Sequence, residues 1–272
     1  MPDEVRAHSP QERRIGERDL TAWPTAAGRG LARGALWLGG WAGEHVVLLV
    51  TALVGLLVAV GATVGAGEVY EGVLEGADLS RLDVPVLDAM VRLRSPGLDR
   101  AVTGLTDLGG TVGMPVIALV AVAVMTWRWR AWTPLVLTAV AAAGSVAMTV
   151  AGKDLVGRAR PPLTLAVPPY ETSPSFPSGH SLNAVVIVGV LVYLVLPHLH
   201  HKRTRTLLVV AGTVFAAAIG LSRVFLGHHW LTDVVAGWLL GLGWLAVVVT
   251  AHRLQLTARR HRATAEASAH AA

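Results

Sequence analysis

The stretch Ser222-Arg223-Val224-Phe225-Leu226-Gly227-His228-His229-Trp230-Leu231-Thr232-Asp233 lies between two apolar runs, each long enough to cross a bilayer. It sets an arginine, two histidines and an aspartate where lipid-facing sequence should carry none. An ionisable side chain at the bilayer centre costs about 2.5 to 3.5 kcal/mol on insertion scales, so it tends to be kept for a task. His229 and Asp233 are four residues apart and share one helical face if the turn runs on into the next helix. A carboxylate so placed can hold an imidazole in one tautomer and stabilise its charged form. The same residues also fit a surface loop whose His and Asp cap a helix.

Composition points the same way. Of 272 residues, 53% are hydrophobic and 15% charged, and the mean hydropathy is +0.54; these values lie outside the range of ordinary soluble domains. The formal charge of +5 is spread between apolar runs and in the tails rather than over one module, which argues against nucleic acid as a partner and for anionic headgroups of a lipid bilayer. With no cysteine, disulfides and thiolate metal sites are excluded.

Residues 1–45 are polar, Arg-rich and punctuated by Gly and Pro, the signature of a disordered or interfacial tail, with Trp37 and Trp41 placed for the membrane surface. The membrane domain is expected over 46–252. Its first span is Val46 to Ala66, as a hydrocarbon core of about 30 Å requires. From Gly67 to Leu108 the chain turns acidic and amphipathic, and a helix lying at the interface is expected there. Further spans are expected at Gly109 to Trp127, Trp132 to Ala151, Ser181 to Leu196, Leu207 to Phe225 and Trp230 to Ala251; residues 253–272 then read as a basic, Ala-rich disordered tail. The fold class is therefore an all-α integral membrane protein with six transmembrane helices and an interfacial helix between spans one and two. Arg128, Arg130, Lys202, Arg203 and Arg205 occupy the loops on the side of both termini, so the positive-inside rule puts the termini in the cytoplasm and the polar clusters outside a plasma membrane.

Those clusters are Lys153 with Arg160-Pro161, then Pro177-Ser178-Gly179-His180, then Ser222-Arg223 with His229 and Asp233. Lys153, Arg160 and Arg223 make an anion pocket, Arg as a fork and Lys as a point charge. Ser178, Gly179 and His180 open a span, where backbone N–H groups favour phosphate. Two histidines and an aspartate complete a set able to attack phosphorus and protonate a leaving group. Each piece has a duller account: snorkelling at the headgroups for the cations, an ordinary helix cap for Pro-Ser-Gly. His198, His200 and His201 read as solvated, and His228 as a bystander that points elsewhere than His229.

The three motifs, in this order and spacing, resemble the full signature of the phosphatidic acid phosphatase type 2 superfamily, from about Leu82 to the end of the sixth span. What the resemblance implies is a lipid phosphatase without metal or other cofactor, in which His229, oriented by Asp233, forms a phosphohistidine and His180 protonates the leaving oxygen and then activates water. Lys153, Arg160, Arg223 and the Ser178 and Gly179 amides would hold the phosphate oxygens, with the Ser178 hydroxyl donating as well; Arg158 is left between extending the pocket and anchoring the helix end. Candidate substrates by resemblance are undecaprenyl diphosphate, phosphatidylglycerol phosphate and phosphatidic acid, with a lean to the polyprenyl diphosphate. The main alternative is an anion or phosphate transporter or channel using the same cations; metal-dependent hydrolysis and haloperoxidase activity are further alternatives. Oligomeric state is not legible.

Overall fold

The computed structural model describes residues 14–15, 18–19, 45–76 and 78–271. Arg14–Ile15 (β1) and Arg18–Asp19 (β2) pair antiparallel; Trp37 and Trp41 lie outside the described residues. Among the described residues from His45 on, the regular elements are helices. α1 spans His45–Glu75, and a 3-10 turn over Asp78–Leu82 leads to α2 (Asp83–Arg92) and α3 (Pro96–Leu108). α4 (Gly113–Trp129), α5 (Thr133–Val156), α6 (Gly179–Val195), α7 (Lys202–Phe225) and α8 (Leu231–Ala271) follow.

Among the described residues, five helices are long and apolar enough to cross a membrane, and α3 with α4, bent by 47° at their junction, makes a sixth if counted as one broken span. Large apolar side chains stay exposed along their outer faces, including Leu53 and Leu57 on α1, Leu119 on α4 and Leu207 on α7. In water such surfaces would be aggregation patches; in a bilayer they face lipid. The interfacial segment is not one helix. Gly76, at φ +62°, ends α1, and the Ser95 hydroxyl accepts from Leu98 N to start α3, so residues 67–108 break into the end of α1 and two short helices. The irregular tail expected after residue 252 is also corrected: α8 runs on to Ala271, because no Gly or Pro follows His252 and Ala, Leu, Gln, Arg and Glu favour helix.

The core forms around α6. Leu182, Val186, Val190 and Leu194 repeat every four residues on one face and pack with Val122, Met125, Leu137, Ala141 and Val248. Ala184 and Ile187, on another face, pack with Met114, Ala118, Ala216 and Ile219. Helices approach closely where α8 lays an indole over a glycine: Trp244 donates to Ala141 O at 2.9 Å, and a Cβ on Gly144 would come within 2.2 Å of its ring. Such small-against-large contacts replace the hydrophobic drive that lipid does not supply. At the end remote from the site, Trp129 stacks on His198, 3.9 Å between centroids, so His198 is packed rather than solvated as the sequence implied.

Candidate active site

The ends of α5 and α7 and the starts of α6 and α8 meet at one end of the bundle, and local sequence shapes each junction. Gly157 (φ +62°) closes α5 just beyond Lys153, with its N–H donating to Lys153 O at 3.0 Å. Gly227 (φ +73°) closes α7; the N–H groups of His228 and His229 fold back to Arg223 O at 3.0 and 3.2 Å. This left-handed glycine cap sets both histidines over the helix end. A Cβ on Gly227 would lie 2.4 Å from Leu165 O, and Arg94 fastens the same junction, donating from Nε to Phe225 O at 2.7 Å and from Nη1 to Leu165 O at 2.5 Å.

Lys153, Gly179, His180, Arg223 and His229 line one cavity of about 1220 Å³. The cavity continues down an apolar groove walled by Ala118, Leu119, Val122, Leu135, Ala142 and Val146 of α4 and α5, so a polar cup opens onto an apolar wall.

His229 is 1% exposed. Its Nδ1 lies 3.3 Å from Asp233 Oδ2, and its Nε2 lies 3.2 Å from Arg160 Nη1. A guanidinium can only donate, so Nε2 is the acceptor and Nδ1 carries the proton given to Asp233. That tautomer leaves a lone pair on Nε2 directed at the cationic side. Burial lowers the His229 pKa to about 4, and the hydrogen bond to Asp233 only partly offsets it; the ring is neutral at pH 7. Asp233 is fully enclosed: Oδ2 also accepts from Trp230 N at 3.0 Å, and Oδ1 accepts from Arg158 at 2.5 Å.

The cations gather around a residue that sequence reasoning missed. Glu171 pairs through Oε2 with Arg160 at 2.7 Å and through Oε1 with Arg223. Burial alone would raise its pKa, but Arg223 and Arg160, with His229, more than offset this and hold it at about 2. An internal carboxylate thus pairs with both guanidiniums. Its signal was present in sequence, as the lone acidic residue between Gly157 and His180. Ser173 completes the rim: Lys153 Nζ donates to its hydroxyl at 2.6 Å, and Arg160 Nε donates to its carbonyl at 2.7 Å.

Three expectations change. Ser178 faces away from the cavity: its N–H donates to Asp233 O at 3.0 Å, and its hydroxyl accepts from Ser181 Oγ at 2.9 Å as the cap of α6. It ties α6 to α8, with its amide committed and its hydroxyl buried; Gly179, whose absent side chain lets Thr149 approach, does line the cup. His228 is not turned away. It lines the cavity and its Nε2 lies 2.7 Å from Val167 O, so it donates there and pins the loop. Arg158, finally, does not extend the pocket; it bridges Asp233 and Asp83. Among the described residues no three His, Asp or Glu side chains form a metal-ligand set.

The comparisons with known proteins agree with this fold. A model of the PAP2 superfamily matches residues 132–256. Phosphatidylglycerophosphatase B of Bacillus subtilis is 35% identical over 163 residues, which is 59% of this chain and 78% of the relative. An undecaprenyl-diphosphatase of Sulfolobus acidocaldarius is 35% identical over 83 residues, 30% of this chain and 35% of that one. The crystal structure of a transmembrane PAP2-type phosphatidylglycerolphosphate phosphatase from Bacillus subtilis superposes with a TM-score of 0.67 at 27% identity, covering 73% of this chain and 97% of that one. Fold and relatives together define a multi-pass membrane enzyme, a lipid phosphatase. The chain belongs to the PAP2 superfamily.

Proposed function

We propose that this phosphatase cleaves a membrane lipid phosphate or diphosphate through a phosphohistidine on His229. The observation that carries the proposal is the continuity of one cavity from the Lys153, His180, Arg223 and His229 cup into the apolar groove between α4 and α5. A ligand with a phosphate at one end and hydrocarbon at the other fits both parts. Phosphatidylglycerol phosphate and undecaprenyl diphosphate, named for the two curated relatives, are the first substrates to test.

On this reading the incoming phosphate displaces the Glu171 carboxylate and takes over Arg160, Arg223 and Lys153. Charge gathering on the equatorial oxygens in the transition state meets those cations and the Gly179 amide. Arg160, drawn to phosphate, releases His229 Nε2, whose lone pair bonds to phosphorus as the bond to the leaving oxygen breaks. Asp233 steadies the positive imidazole through the retained Nδ1–H. His180 relays a proton from the monoanionic substrate phosphate to the leaving oxygen, then takes one from the water that cleaves the N–P bond and returns it to the departing inorganic phosphate; His229 is restored.

The site is assigned to the extracytoplasmic face, because Arg128, Arg130, Lys202, Arg203 and Arg205 belong to the opposite end of the bundle. The folded unit is taken as 46–252 with its helical extension. The transporter alternative gains nothing from the comparisons, since the relatives are phosphatases by name. The deciding experiment measures phosphate release by purified protein from a panel of lipid phosphates with chelator present. Wild-type protein turns over and His229→Ala does not, while inserting normally; full activity in that variant ends the mechanism.

A further inference from the structure

We infer that Asp83, at the start of α2, is a positioning residue for the reaction, acting through Arg158 on Asp233 and hence on His229. The inference rests on His229 being the attacking group. Asp83 is 3% exposed although it opens an amphipathic helix. Rather than capping α2, its carboxylate reaches 149 residues along the chain to the first turn of α8: Oδ1 accepts from Thr232 N at 2.9 Å and Oδ2 from the Thr232 hydroxyl at 2.7 Å. Oδ2 also takes Arg158 Nη2 at 2.7 Å. The other arm of Arg158 donates to Thr232 Oγ1 at 2.7 Å and to Asp233 Oδ1 at 2.5 Å.

Two consequences follow from this chain of contacts. First, Asp83 caps α8 from another helix, which fixes the rotation of the turn that carries Asp233. Second, it shares the charge of Arg158. With both carboxylates present, the guanidinium is balanced from two sides and Asp233 keeps its negative charge for the His229 imidazolium formed in the reaction. The charged and titratable groups around His229 are Asp233 on α8, Arg158, Arg160 and Glu171 on the loop 157–178, Arg223 on α7, the neighbouring His228 and His180 on α6, with Lys153 of α5 and Asp107 of α3 in the same cavity.

Charge and geometry are separable by experiment. Asp83→Asn keeps an acceptor for Thr232 but leaves Arg158 with one carboxylate, so the surplus cation disfavours imidazolium; Arg158→Gln removes a cation and favours it. The full-length protein is assayed in lipid-containing micelles for kcat, KM and the acid limb of the pH–rate profile. Asp83→Asn lowers kcat about tenfold to a hundredfold with KM nearly unchanged, and moves the acid limb to lower pH. Arg158→Gln also lowers kcat but moves the limb up, by about half a pH unit or more. The double variant returns the limb towards wild type and loses less than the product of the single losses. Shifts in the same direction, purely multiplicative losses, or wild-type kinetics in all folded protein would overturn the inference. If Asp83→Asn cannot be purified, Arg158→Gln decides alone: no upward shift refutes it. His229→Ala keeps the two proposals apart, since activity surviving there sinks the mechanism, whereas an inactive His229→Ala beside unperturbed Asp83 and Arg158 variants sinks only this inference.

Discussion

Replacing Glu171 by Gln tests whether the cup is built for an anion and is already holding one. The substitution keeps size and shape, so any change reports on charge. Holding the carboxyl at about 2 instead of the usual 4.5 corresponds to about 3 kcal/mol of interaction with its cations. The side chain is 30% exposed, and solvent screening reduces that to about 1.5 kcal/mol of effective competition. A phosphate entering the wild-type site must break the Glu171 contacts to Arg160 and Arg223; in the variant it meets two cations without a carboxylate partner. Inhibition by inorganic phosphate and by orthovanadate is therefore about tenfold tighter in Glu171→Gln, since each 1.4 kcal/mol is worth about a factor of ten. The same change lowers thermal stability at neutral pH. The sign follows from linkage: a depressed carboxyl pKa contributes stability above about 4.5 that is lost as pH falls towards 2, and Gln lacks it at every pH. Steady-state inhibition constants and a melting curve on the same preparations suffice. Unchanged or weaker phosphate inhibition in a folded variant would show that Glu171 does not stand in the phosphate's place.

Three further outcomes are expected. Because burial lowers the His229 pKa to about 4, its neutral, attacking form persists well below the ordinary 6.5, and the acid limb of kcat/KM for a lipid phosphate lies near pH 4; a limb at 6.5 would mean that another group limits the rate. Gly227→Ala puts a side chain at φ +73° and within 2.4 Å of Leu165 O, so the α7 to α8 turn shifts, and both thermal stability and activity fall, by well over about 1 kcal/mol for the former. The chain has no cysteine, so single cysteines at Tyr170 and at Arg203 can be labelled in intact cells with an impermeant maleimide: Tyr170→Cys reacts and Arg203→Cys does not if the cup opens outward. The reverse pattern inverts the assigned topology.

The number and order of the spans were legible because hydropathy is a local, additive property, and charge-free runs of about 20 residues have few other uses. The spacing from Lys153 to Arg160, the Pro-Ser-Gly-His turn and the run from Ser222 to Asp233 likewise marked residues that meet in the fold, since Lys153, His180, Arg223 and His229 line one cavity. Helix ends were less legible. α8 outlasts its hydrophobic stretch because backbone propensity, not apolarity, decides where a helix stops.

What sequence could not determine is which polar group each site residue faces. Ser178 looked like a phosphate donor, but its amide donates to Asp233 O and its buried hydroxyl accepts from Ser181. Arg158, left open between the pocket and the helix end, is a strut between Asp83 and Asp233. Asp83 lay within the segment expected at the interface, and Glu171 outside all three motifs. Pairings across 75 residues, as for Asp83 and Arg158, or 52, as for Glu171 and Arg223, leave no periodic trace in the chain. A buried charge must find its partner through space, so the motifs name the participants while packing of α2 and the loop 157–178 onto α7 and α8 assigns their contacts.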